Sequence, residues 1–174
     1  MPMTTAEFQL NVLPLKNKLY AFACRLLTNA EEARDTVQEV MLKMWESGKP
    51  LADYENIEAW CMTMVRNRSL DKIRVGNIRQ QHLKVIHRGK RFEKPHSEKM
   101  ELQEMVQHVI RFMNTLPVVQ RELVELRDFQ EKSYEELVEI TGLEMSQVKV
   151  YLHRARKTIR EKITELNAYG LQHN

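Results

Sequence analysis

The chain has 174 residues, a net charge of +3, and 43% hydrophobic and 29% charged residues. That length accommodates one ordinary domain or two small ones, and the composition is globular, which excludes disordered and collagen-like classes. No run of about 18 apolar residues occurs, so no membrane span is expected. The start MPMTTAEFQL also lacks the basic-then-apolar order of an export signal. Five Gly, five Pro and ten Met favour an all-helical chain. Cys24 and Cys61 stand alone inside apolar helical patterns and read as buried, reduced thiols of a cytoplasmic protein.

In chain order, Phe8 and Val12 suggest a short first helix interrupted at Pro14. Leu15, Leu19, Phe22 and Leu26 continue as a second. Asn29 and Glu32 have the spacing of a capping box, which opens a helix through Trp45 with the stripe Ala33, Val37, Val40 and Met44. Gly48 suits its C-terminal end. After the loop Lys49–Glu55, Asn56 can cap a helix running to about Arg74. Residues 76–97 are basic, polar and weakly periodic, and read as a flexible linker that can be helical at its start. From Glu98, the residues Leu102, Met105, Val106, Val109, Ile110 and Met113 form a new stripe. Leu116-Pro117 breaks it, with Pro117 in the first turn of a helix carrying Leu123, Leu126 and Phe129.

The densest pattern is SYEELVEI–TGL–EMSQVKVYLHRARKTIREK. Ser133 with Glu136 forms a capping box, Leu137 and Ile140 face inward, and Gly142 can take the positive φ of a tight turn. In the helix that follows, Val148, Leu152, Ala155, Ile159 and Ile163 recur every three or four residues. This is the pattern of a helix-turn-helix, whose second helix enters the DNA major groove. Ser146, Gln147 and Val150, with His153, are placed to reach base edges; Lys149, Arg154, Arg156 and Lys157 are placed for phosphates.

Charge is unevenly distributed. Residues 1–65 carry −3, residues 66–99 carry +8 and residues 100–174 carry −2, yet Lys149–Lys162 holds six bases against Glu161 alone. Two basic patches imply two contacts with a polyanion. His82, His87 and His96 lack the companions a metal site needs, and no phosphate loop or nucleophile motif is present. No cofactor and no catalysis are expected. The fold class is all-α: two small helical domains, 1–75 and 98–174, joined by the basic linker 76–97, the second ending in the helix-turn-helix.

Two separated motifs, AEEARDTVQEVMLKMWE with IEAWCMTMVRNRSLDKIR, and LPVVQRELVELRDFQEKSYEELVEITGLEMSQVKVYLHRAR, resemble regions 2 and 4 of extracytoplasmic-function sigma factors of the sigma-70 family. The resemblance implies that Asp35, Gln38 and Glu39 dock on the clamp coiled coil of the largest subunit of bacterial core RNA polymerase. It implies that Tyr54, Asn56, Arg66, Asn67, Lys72 and Arg74 hold the melted minus-10 element. Tyr54 stacks on a base or packs its loop, and Trp60 belongs to the core. The helix-turn-helix would read the minus-35 element as duplex. The resemblance also implies an anti-sigma factor as a partner, and closure of the two domains on each other or on that inhibitor would hide both DNA faces. The alternative is a stand-alone helix-turn-helix regulator with a sensing or dimerising N-terminal bundle.

Overall fold

The computed structural model describes residues 2–82 and 98–171. The N-terminal domain holds α1 (Thr5–Asn11), α2 (Lys16–Leu27), α3 (Ala30–Glu46) and α4 (Ile57–His82). α1 begins with a capping box that the sequence reading passed over: Glu7 N–H donates to the Thr4 hydroxyl, and the Glu7 carboxylate accepts from Thr4 N–H at 2.8 Å. Pro14 lies in a short 3-10 turn leading into α2. Asn29 caps α3 by accepting from the amides of Glu31 and Glu32, without a reciprocal bond from the Glu32 side chain. The expected stripe of α3, Ala33, Val37, Val40 and Met44, is buried where α3 packs on α2 and α4. Gly48 takes φ +63 just beyond α3, where a side chain would be strained.

α4 runs past Arg74 and through Gly76 to His82, so the first residues of the basic segment are helical. Continuous backbone hydrogen bonding outweighs the roughly 1 kcal/mol that one glycine costs a helix. His87 and His96, with most of the expected linker, lie outside the described residues.

The C-terminal domain holds α5 (Glu98–Asn114), α6 (Val118–Val124), α7 (Tyr134–Thr141) and α8 (Met145–Leu171). Pro117 occupies the N-cap of α6, one residue before the helix. α6 widens into a π-helical turn over Glu125–Phe129. That turn carries Phe129 out of the expected stripe; the ring is exposed, beneath the guanidinium of Arg25 at 5.8 Å. Leu123, Leu126, Leu137, Ile140, Val148, Leu152 and Ala155 form the core. Cys61 is buried and Cys24 half-buried, both as free thiols; burial pushes the Cys61 thiol up to about 12. The two domains pack on each other, α2 against α6 and α4 against α7.

Candidate nucleic-acid interface

The helix-turn-helix is set by local chemistry. The Ser133 hydroxyl accepts from Glu136 N–H at 3.1 Å, and the Glu136 carboxylate accepts from Ser133 N–H at 2.7 Å, which starts α7. Burial pushes the Glu136 carboxyl up, but the Ser133 amide and Lys132 outweigh it and hold it below the ordinary carboxylate range. Gly142 takes φ +69 and turns the chain into α8. With Val148, Leu152 and Ala155 turned into the core, Ser146, Gln147, Lys149, Val150, His153, Arg154, Arg156 and Lys157 are all exposed. Val150 is 46% exposed, an apolar group in water that suits a thymine methyl.

Two of these residues carry internal duties. Gln147 accepts Glu144 N–H through Oε1 at 3.0 Å and so supplies the helix start with a cap that the Glu144 side chain does not. Its amide NH2 keeps its donors free of that bond. Arg156 pairs with Asp128 of the π-helical turn, bracing α8 against α6. Lys149, His153, Arg156, Lys157 and Arg160 line a cleft of about 550 Å³ with Tyr134. Arg160, exposed one turn beyond Arg156, joins the basic surface.

The N-terminal candidates do not form one patch. Asn67 and Arg74 face water from α4, with Arg74 paired to Asp71 at 2.9 Å. Lys72 turns toward α3 and donates to Glu39 at 3.3 Å, alongside Arg68. Arg66 turns toward the other domain and forms a bidentate pair with Glu122, Nε at 2.7 Å and Nη2 at 2.9 Å. Asn56 accepts from Ala59 N–H at 2.9 Å, so its side chain caps α4. The Tyr54 ring meets Trp60 edge-on at 5.4 Å, and its hydroxyl lies 3.0 Å from that of Ser47. Trp60 is half-buried, not fully in the core. Tyr54 and Trp60, with Lys43, Glu46, Ser47 and Lys49, line a cleft of about 320 Å³.

On α3, Asp35 and Gln38 are exposed. Burial pushes the Glu39 carboxyl up, but its bonds to Arg68 and Lys72 hold it below the ordinary range, so Glu39 joins α3 to α4. Leu42 and Trp45, 56% and 44% exposed, continue the line of Asp35 and Gln38 at helical spacing. Neither is among the docking candidates expected from the sequence. The signal was present, because both fall off the buried stripe of α3.

Two helical domains, one with an exposed duplex-reading helix and the other with a basic helix beside a loop cleft, define a two-point nucleic-acid-binding protein. Family models for sigma-70 region 2 and sigma-70 region 4 match residues 12–77 and 107–159. The chain is 28% identical to RNA polymerase sigma factor SigV of Bacillus subtilis, over 86% of this chain and 87% of that protein. It is 25% identical to the extracytoplasmic-function sigma factor RpoE of Cereibacter sphaeroides, over 84% and 81%. Among solved structures it is similar to the sigma factor RpoE in complex with the anti-sigma factor NepR from Bartonella quintana, with TM-score 0.74, 25% identity and coverage of 92% and 98%. It shares the fold of CnrH, solved with the cytosolic domain of CnrY, at TM-score 0.66 and 18% identity over 93% and 90%. The chain belongs to the sigma-70 family and is a promoter-recognising sigma factor of the extracytoplasmic-function group. None of its described helices is long and apolar enough to cross a membrane.

Proposed function

We propose that the two domains divide promoter recognition while core RNA polymerase carries the chemistry. In the 98–174 domain, α8 reads the minus-35 duplex through Ser146, Gln147 and Val150, with His153 beside them, and grips phosphates through Lys149, Arg154, Arg156 and Lys157. In the 1–75 domain, the cleft at Tyr54 and the side chains of Arg66, Asn67, Lys72 and Arg74 take the melted minus-10 strand, with Asn56 positioning the loop. The exposed line Asp35, Gln38, Leu42 and Trp45 docks on the polymerase clamp, with Glu39 of the same helix bracing α3 against Arg68 and Lys72 of α4. The protein works in the cytoplasm, without catalysis of its own, and an anti-sigma factor holds it in reserve.

The observation that carries the reading is the exposure of all eight α8 residues over a fully packed helix-turn-helix core. Single strands are held by positive grooves with aromatic platforms, which is the chemistry of the Tyr54 cleft. The test is transcription from a genomic fragment library with purified core polymerase. Defined start sites are expected with the wild-type chain, and none with Gln38→Lys, which places a cation on the docking line without touching the core. Tight sequence-specific duplex binding with no polymerase association would instead mark a stand-alone regulator.

A further inference from the structure

The basic cleft on α8 is closed on one side by a residue of α7. It holds about 550 Å³ and is lined by Lys149, His153, Arg156, Lys157 and Arg160 of α8 and by Tyr134, the first residue of α7. Its acid is Glu161, 3.8 Å from Lys157. Among the described residues, neither Lys149 nor Arg160 meets a carboxylate within ion-pair reach. The packing of the two domains leaves this face open, contrary to the expectation that closure hides both DNA faces.

The orientation of Arg156 is set from outside the helix-turn-helix. In the π-helical turn, Gln130 N–H bonds to the Glu125 carbonyl five residues back at 3.1 Å. The wider turn redirects side chains relative to a regular helix. Asp128 of that turn accepts from Arg156 Nε at 3.0 Å with one oxygen and from Nη2 with the other. A bidentate carboxylate fixes the guanidinium plane, takes one edge of the fork and leaves the Nη1 donors. Asp128 lines the apolar cleft on the other flank of Arg156 and not the basic one.

Tyr134 is held by the neighbouring residue of the same turn. The Arg127 guanidinium lies 5.0 Å from its ring, and Arg127 Nη1 donates to the Lys132 carbonyl at 2.7 Å. The Asp128 carboxylate above all, and the Tyr134 hydroxyl beside it, push the Arg156 guanidinium up despite its partial burial. A hydroxyl that accepts from a guanidinium keeps its own proton to donate. Arg127 and Asp128 thus fix the two walls of the cleft from one turn of the chain.

We propose that this cleft seats one backbone phosphate of the duplex, held by Arg156, Arg160 and the Tyr134 hydroxyl, and that Asp128 is the positioning residue that aims Arg156 into it. The seat rests on the reading of α8 as the duplex-reading helix. One phosphate then meets charged donors from α8 and a neutral donor from α7, which fixes the angle of both helices on the duplex.

The test is fluorescence anisotropy of a labelled random-sequence duplex with the full chain across salt concentrations, each variant first shown by circular dichroism to be folded. Asp128→Asn keeps the shape and removes a negative charge beside a basic surface. General electrostatics predicts tighter binding to any duplex. The seat predicts binding about fivefold weaker at low salt and a salt slope smaller by about 0.9, since one phosphate contact is lost. Asp128→Glu is expected to recover most of the loss. Tyr134→Phe keeps the ring beside Arg127 and removes the hydroxyl, so binding is expected to weaken about threefold with the slope unchanged. Asp128→Asn added to Arg156→Gln should bring no further loss, because the cation it aims is gone. Unchanged or tighter binding by a folded Asp128→Asn overturns the positioning role, whatever its melting temperature. If Asp128→Asn does not fold, Arg156→Lys decides: it keeps the charge without the fork, and wild-type affinity overturns the seat. Arg154→Ala, outside the cleft, separates the two readings. If it weakens binding while Asp128→Asn does not, α8 still reads duplex and the seat falls; if neither weakens it, both fall.

Discussion

α8 and α4 are both basic helices, but their charges are handled in opposite ways. On α8 the apolar stripe is buried and nearly every base points to water; Arg156 and Lys157 have acidic neighbours, Lys157 only at 3.8 Å. On α4 the bases are answered from three directions, by Glu39 on α3, by Asp71 on α4 itself and by Glu122 on α6. A count of Lys and Arg would rank the two surfaces alike. At Arg66 the difference is desolvation: a buried charge keeps its partner and releases it only to another anion, whereas the Arg74–Asp71 pair of α4, 73% and 59% exposed, is as open to solvent as the bases of α8.

The largest expected effect comes from asking whether the two regions stand independently. Leu152→Ala empties a fully buried site in the helix-turn-helix and is expected to destabilise that domain by about 3 kcal/mol. Hydrogen exchange should show amides near Leu137 and Val148 losing protection while those near Phe22 and Leu26 keep theirs. Equal loss at both sites would show that the ionic contact makes one cooperative unit.

A smaller effect, about 1 kcal/mol, separates two acids of the C-terminal domain by pH. Glu136 titrates below the ordinary carboxylate value when folded, so its stabilisation is complete above that value and lost as pH falls through the depressed one. Melting of Glu136→Ala should therefore trail the wild type at neutral pH and converge with it in acid. Glu122 goes the other way. Burial pushes its carboxyl above the ordinary range despite the pull of Arg66, so the folded chain holds the proton longer. Stability then declines as pH climbs from the ordinary value to the raised one, and Glu122→Gln should lack that decline. Parallel pH profiles for the two variants would refute the assignment.

The smallest effect is on α8. Lys149→Ala should weaken duplex binding a few-fold for every sequence and reduce the salt slope by about 0.9. Fluorescence anisotropy across salt concentrations would show it, and an altered sequence preference with an unchanged slope would make Lys149 a base reader.

Residues 133–163 carry nearly all of their structure in their sequence, because cap, turn glycine, apolar stripe and basic face are local features of one short segment. The caps at Asn29 and Asn56, the stripe of α3 and the Leu-Pro break were legible for the same reason. Neighbouring side chains on a single helix interact within one or two turns, and spacing in the chain is spacing in space. The partners of Arg66, Arg25 and Glu39 were not legible. Glu122 lies 56 residues from Arg66, and Glu125 lies 100 residues from Arg25. Which carboxylate a guanidinium meets across such distances depends on how whole domains pack. The sequence by itself thus determined the helices, the exposed basic face of α8 and the two-domain plan. The tertiary structure alone decided which of the basic residues are held by internal acids and which remain open to DNA, since pairing across domains is set by burial and relative placement, neither of which has a local signature.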